Sequence, residues 1–331
     1  MCQSGETLVL GLVFTSDIDD NSLIADSVGE DMDQVSRIKE LKEKRNAVIL
    51  VHNYCLPEVQ DVADFIGDSL GLSIKAAETD AEVIVFCGVT FMAETAKILN
   101  PSKIVINPQP HAVCAMAQMC SPSQIVDYRK ENPDAEVVGY VNSTAASKAE
   151  MDVCCTSSNS VDVVSKLSSG KVLFVPDQNL GRYTKSKCPD AGVVLWNGMC
   201  PIHHSITVGQ VRALKEAHPD AVSLAHPECR AEVLDLVDHV CSTEGMLNIC
   251  RGSDRDEFII VTEVGMKHRL EKEMPGKRFY FPEYAVCSAM KMVDLDSIVS
   301  SLENLSNQVD LDPQVIERAR LPVQRMVGRE L

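Results

Sequence analysis

From residue 33 onward the chain alternates charged helical stretches with short apolar runs, and the whole pattern returns three times. Each block opens with an amphipathic helical stretch running into an apolar strand: residues 34–42 into 47–52, 124–130 into 136–140, and 210–216 into 221–226. The second and third blocks share a joint, Asn132-Pro-Asp-Ala135 and His218-Pro-Asp-Ala221. Counting from the first strand's end at His52, Tyr140 and His226, seventeen residues lead to Ser69, Ser157 and Thr243, each between a short apolar stretch and a helical pattern. Seventeen more reach Phe86, Phe174 and Ile260, inside the β-like runs 82–87, 171–175 and 257–261. A helical stretch follows in each block (91–99, 180–187, 265–274), and a fourth strand leads to Cys114, Cys200 and Cys287.

Self-similarity at a fixed period marks repeated supersecondary units. Each block reads β-α-β-α-β-α-β, which predicts an α/β fold of three pseudo-threefold-related repeats, each a small four-stranded parallel sheet flanked by helices. The predicted division is an acidic extension at 1–32, repeats at 33–120, 121–205 and 206–293, and closing helices in 294–331, at 294–306 and 313–327. Ligands of parallel α/β sheets sit at the carboxyl ends of strands. The recurrent polar residues fall at such ends, so three sheets with these edges turned inward would collect them around one cavity. The three cysteines, 86 and 87 residues apart, would deliver one thiolate per repeat to a shared metal.

A chain of 331 residues with 45% apolar content can bury a sizeable core. A net charge of −17 argues against a nucleic-acid binder, which would carry a basic footprint. Seven of those charges come from residues 1–32, which contain no Lys or Arg; this segment reads as a poorly ordered acidic extension with a candidate strand at 7–14. No apolar window reaches membrane-spanning length and no basic leader precedes the fold, so a cytoplasmic setting is expected. Thirteen cysteines without a secretion signal fit a reducing compartment. Because Cys-x-x-Cys does not occur, any metal must be assembled from distant segments.

The phrases at the strand ends carry a resemblance. His52-Asn-Tyr54, Gly67-Asp-Ser69-Leu, Tyr140-Val-Asn-Ser143, Cys154-Cys-Thr-Ser157-Ser-Asn, Pro176-Asp-Gln-Asn-Leu-Gly181, His226-Pro-Glu228-Cys and Glu283-Tyr-Ala-Val-Cys287 together resemble the quinolinate synthases, over about residues 34–327. The resemblance implies condensation of iminoaspartate with dihydroxyacetone phosphate to quinolinate, with loss of phosphate and water, in NAD biosynthesis. It implies a [4Fe-4S] cluster on Cys114, Cys200 and Cys287, whose one iron without a protein thiolate acts as a Lewis acid. Tyr54, Glu228 and His226 would be catalytic, and His52, Ser69, Tyr140, Asn142, Ser157, His226, Glu228 and Thr243 would bind substrate. An aspartate oxidase or dehydrogenase would supply the imine. Cys55 and Ala115 depart from the family pattern, where Gln and Pro are usual at those places.

Blander readings stand beside these. Cys55, Cys87, Cys154, Cys155, Cys188, Cys229, Cys241 and Cys250 read as small buried hydrophobes. Ser69, Ser157 and Thr243 read equally well as helix N-caps, and a His at a strand end is often structural. Two other functions share the cysteine pattern: an iron–sulfur hydro-lyase acting on a hydroxy acid, and a non-enzymatic iron–sulfur or oxygen sensor.

Overall fold

The computed structural model describes residues 20–328. Among the described residues, twelve strands form three separate four-stranded sheets. β1 (Ala47–His52), β2 (Phe65–Gly67), β3 (Val83–Cys87) and β4 (Ile104–Ile106) make the first; β5 (Glu136–Tyr140), β6 (Val153–Cys155), β7 (Val172–Val175) and β8 (Val193–Leu195) the second. β9 (Val222–Ala225), β10 (His239–Val240), β11 (Glu257–Val261) and β12 (Arg278–Tyr280) make the third. Every pairing is parallel and every sheet has the order second-first-third-fourth. The α/β architecture of three repeats read from the sequence is the one observed.

Helices cover both faces of such a sheet, so its central strands are apolar throughout and do not alternate. Val48 to Val51, Val83 to Cys87 and Phe258 to Val261 are buried along their whole length. One polar device recurs in all three repeats. A carboxylate just ahead of the second strand accepts the backbone N–H of the first strand's second or third residue: Asp64 from Ile49 at 2.8 Å, Asp152 from Val137 at 2.7 Å, Asp238 from Ser223 at 2.8 Å. These aspartates lie 88 and 86 residues apart (152 − 64; 238 − 152), the period of the strands.

The first helix spans Asp20–Arg45, so it begins well before the amphipathic stretch at 34–42. The candidate strand at 7–14 lies outside the described residues, as does the acidic extension up to residue 19. At the other end, the helix Leu295–Asn304 packs on the first helix, and Pro313–Met326 lies against β6 and the helices Thr90–Leu99 and Ala145–Lys148. That last helix therefore touches both the first and second repeats. Its end is fastened by Asn159 Nδ2 donating to Met326 O at 3.0 Å. No helix among the described residues is long and apolar enough to cross a membrane.

Lys148 is fully buried at the junction of the first two repeats. Its Nζ donates to Ser143 O and sits 5.2 Å from the centroid of Phe91. Burial pushes its ammonium down to about 8. Between pH 8 and 10.5 the unfolded chain therefore binds more protons at this residue than the folded one, and its contribution to stability rises with pH. Urea unfolding of the wild type and of Lys148→Met across that window checks this: the wild type should gain up to about 3 kcal/mol relative to the variant. A constant difference would show that Lys148 does not titrate there.

Candidate functional site

The carboxyl edges of the three sheets face one central cavity. Its wall carries His52, Tyr54 and Ser69 from the first repeat, Tyr140, Asn142 and Ser157 from the second, and His226, Glu228 and Thr243 from the third. Cys114, Cys200 and Cys287 line the same space. All twelve residues singled out from the sequence are thus brought together. In an open parallel sheet the crevice forms where connections leave in opposite directions, here between the first and third strands of each repeat.

Two histidines occupy equivalent strand tips and are held alike. His52 Nδ1 accepts from the backbone of Tyr54 at 3.2 Å, and His226 Nδ1 accepts from that of Glu228 at 3.4 Å. Burial pushes both imidazoles down to about 3. Both are therefore neutral, and with Nδ1 accepting, the proton resides on Nε2. His226 Nε2 donates to Ser157 Oγ at 3.1 Å, which frees the serine hydroxyl proton for another acceptor. Asn142 Oδ1 is buried without a partner in the wall of the cavity, a carbonyl available to a ligand donor.

A chain of short contacts joins Tyr54 to Glu228 through two residues the sequence reading did not assign. Tyr54 Oη lies 2.7 Å from Thr262 Oγ1, and Thr262 Oγ1 lies 2.8 Å from His203 Nε2. His203 Nδ1 is 2.6 Å from Glu228 Oε2, and its ring stacks on His226 at 4.6 Å. Burial alone would raise the Glu228 carboxyl, but His203 and His226 beside it, with hydrogen bonds from His203 and Tyr140, hold it well below the usual carboxylate range. Burial and the Glu228 charge do the opposite to the phenols, raising Tyr54 and Tyr140 well above theirs. An ionised carboxylate and protonated phenols thus share one chamber, an acceptor and two donors at the same pH.

Two further carboxylates stand behind the cysteines. Asp177 Oδ2 accepts the backbone N–H of Cys200 at 2.8 Å, and Glu263 Oε1 accepts that of Cys287 at 2.9 Å. Asp177 and Glu263 follow the third strands of their sheets by the same two residues, and Val89 holds that place in the first repeat. Lys291 Nζ pairs with Glu263 at 3.0 Å and also donates to Tyr54 O. The register that aligns Phe86, Phe174 and Ile260 reaches Val89, Asp177 and Glu263 three residues further on.

The donor set fits an iron–sulfur cluster. Each cysteine precedes a short helical turn, at Met116–Gln118, Pro201–Ser205 and Ser288–Lys291, and backbone N–H groups of those turns point to its sulfur. Such N–H groups stabilise sulfur carrying negative charge. Burial pushes the thiols upward, Cys114 to about 12, so a bound metal would have to displace their protons. The three cysteines share the wall of one cavity, and Cys200, His203 and Glu228 form a second, mixed set whose ligand atoms lie within 4.8 Å of one another. All twelve described cysteines are free thiols; Cys55, Cys87, Cys154, Cys155, Cys188, Cys229 and Cys250 are buried as expected, while Cys241 is only half-buried.

The capping roles need correction. Asp68 and Ser242 are the N-caps of the helices Ser69–Glu78 and Thr243–Gly252, accepting from Gly71 and Gly245. Ser69 and Thr243 are the first helical residues. Ser157 is no cap either, because its helix starts at Ser160: Asn159 Oδ1 folds back onto the backbone N–H of Thr156 at 2.7 Å and delays the first turn.

Three repeated parallel sheets enclosing an acid–base chamber with metal-binding capacity define an α/β enzyme. The family model described as "Quinolinate synthetase A protein" matches residues 36–328. The chain is 50% identical over 295 residues to the quinolinate synthase of Methanosarcina barkeri, covering 89% of this chain and 97% of the relative. It is 45% identical over 296 residues to that of Aquifex aeolicus (88% and 92%) and 49% identical over 292 residues to that of Dehalococcoides mccartyi (88% and 96%). The chain belongs to the quinolinate synthase family.

Proposed function

We propose that the central chamber condenses iminoaspartate with dihydroxyacetone phosphate to quinolinate, with Cys114, Cys200 and Cys287 holding a [4Fe-4S] cluster. The observation that carries this reading is the convergence of all twelve family-type residues on one cavity in a chain of that family. When bound, the cluster supplies an iron that polarises a substrate oxygen, easing the loss of hydroxide. The other steps fall to side chains. Glu228, ionised and bonded to His203, takes protons from carbon or nitrogen. Tyr54 gives a proton to a departing oxygen and is reprotonated through Thr262 Oγ1 and His203 Nε2. His226 orients Ser157, and the hydroxyls of Ser69, Ser157 and Thr243 bind the carboxylates and phosphate, while Tyr140 holds Glu228 and Asn142 Oδ1 accepts from a substrate N–H or O–H. These neutral donors offset the repulsion that a net charge of −17 exerts on anionic substrates.

Iminoaspartate hydrolyses readily in water, so a reaction oxidising aspartate must run beside this one, in the cytoplasm where the thiols stay reduced. The segments 33–120, 121–205 and 206–293 act as the three units that bring their strand tips together. The test is direct: anaerobically purified protein, given dihydroxyacetone phosphate and iminoaspartate generated in place by an aspartate oxidase, should form quinolinate detectable by chromatography. Turnover of a simple hydroxy acid with no quinolinate would overturn the proposal.

A further inference from the structure

The hydrogen-bond polarity around Thr243 is set from another repeat. Arg269 has donors only, so the Asn53 atom 2.8 Å from its Nη1 is the amide oxygen. The amide is thereby fixed, and its Nδ2 donates to Thr243 Oγ1 at 2.9 Å. Oγ1 accepts in that bond, which leaves its own proton to be given elsewhere. Thr243 and Asn53 are both buried, and Thr243 lines the chamber. Arg269 in turn is held by Glu244 and, at 2.7 Å, by Glu273. The register mates of Asn53 are Val141 and Pro227, which lack a side-chain donor, so the first repeat alone has this reach.

We infer that Asn53 and Arg269 are positioning residues that fix the Thr243 hydroxyl as a donor to an anionic group of the substrate, carboxylate or phosphate. The inference rests on the proposed reading of the chamber as the substrate site, and it names what makes that wall selective for anions. With one of its two lone pairs taken by Asn53 Nδ2, the hydroxyl keeps its proton for a ligand atom that accepts, such as a carboxylate or phosphate oxygen.

Asn53→Asp preserves shape and reverses polarity. One carboxylate oxygen still accepts from Arg269, and the other is satisfied only by taking the Thr243 proton. Anaerobic holoenzyme carrying N53D should bind quinolinate about thirtyfold more weakly, or show a similar rise in KM for dihydroxyacetone phosphate with kcat little changed. The first result assigns a carboxylate to Thr243 and the second the phosphate. Asn53→Ala, which leaves the hydroxyl free, should cost about threefold or less. Thr243→Val should match N53D, and the double variant N53D/T243V should be no weaker than T243V alone. If N53D fails to fold, Arg269→Lys, which keeps a donor-only partner, should stay within about threefold while Arg269→Met, which releases the amide, loses about tenfold. Equal losses in N53A and N53D, or in R269K and R269M, would overturn the inference. No change in T243V for either ligand would instead overturn the reading of this wall as a substrate site.

Discussion

Serine in place of Cys114, Cys200 or Cys287 is expected to leave the protein folded, colourless and inactive. The anaerobically purified wild type should carry roughly four iron and four sulfide per chain, and each of these three variants should fall to background. The argument is one of donor number. Three thiolates from three repeats would hold the group, so losing one would leave two ligands on a face of the chamber that offers no other cysteine among its lining residues. Serine also keeps its proton near neutral pH, so it does not replace the missing charge. Cys188→Ser is the control: this thiol is buried away from the chamber against Val161 O, 3.5 Å from its sulfur, and iron content should not change. Full iron in any of the three, measured with sulfide and the visible absorption band, would mean that the ligand set is wrong.

Glu228→Gln should lower kcat about a thousandfold while the cluster is retained. Glutamine fills the same space and keeps an acceptor for one of the two donors, His203 and Tyr140, but it cannot take a proton. Tyr54→Phe should be comparably slow, because it removes the hydroxyl that meets Thr262 Oγ1 at 2.7 Å. The two losses should not add. Tyr54, Thr262, His203 and Glu228 form one bonded chain, and breaking either end disables the proton path that the other end needs. Single-turnover rates of the two variants and of the double variant measure this. A double variant slower than either single one by their full product would show that the residues act independently.

The fold was legible because buried parallel strands are apolar along their length and the period of their ends is nearly constant. Aligning His52, Tyr140 and His226 brought Ser69, Ser157 and Thr243 into register, and the structure sets all six on one cavity. Thr262 escaped because its register mates, Gly88 and Pro176, carry no hydroxyl, so nothing recurs to draw attention to it. His203 lies off the strand register: that its ring reaches Thr262 on one side and Glu228 on the other depends on how the short helix Pro201–Ser205 turns in, which a strand period does not encode. Asn53 and Arg269 lie 216 residues apart and meet across two repeats. Contacts between repeats are the part of such a protein that an internal repeat hides, since each unit looks the same whichever neighbour it will face.

The helix Pro313–Met326 bridges the first and second repeats although it follows the third in the chain. Each sheet draws its strands from one contiguous stretch of chain, so its pairing is local, whereas the seam between the first two units is closed by a helix that comes after the third. Docking of the first two units therefore depends on contacts of high sequence separation, the kind that forms slowest.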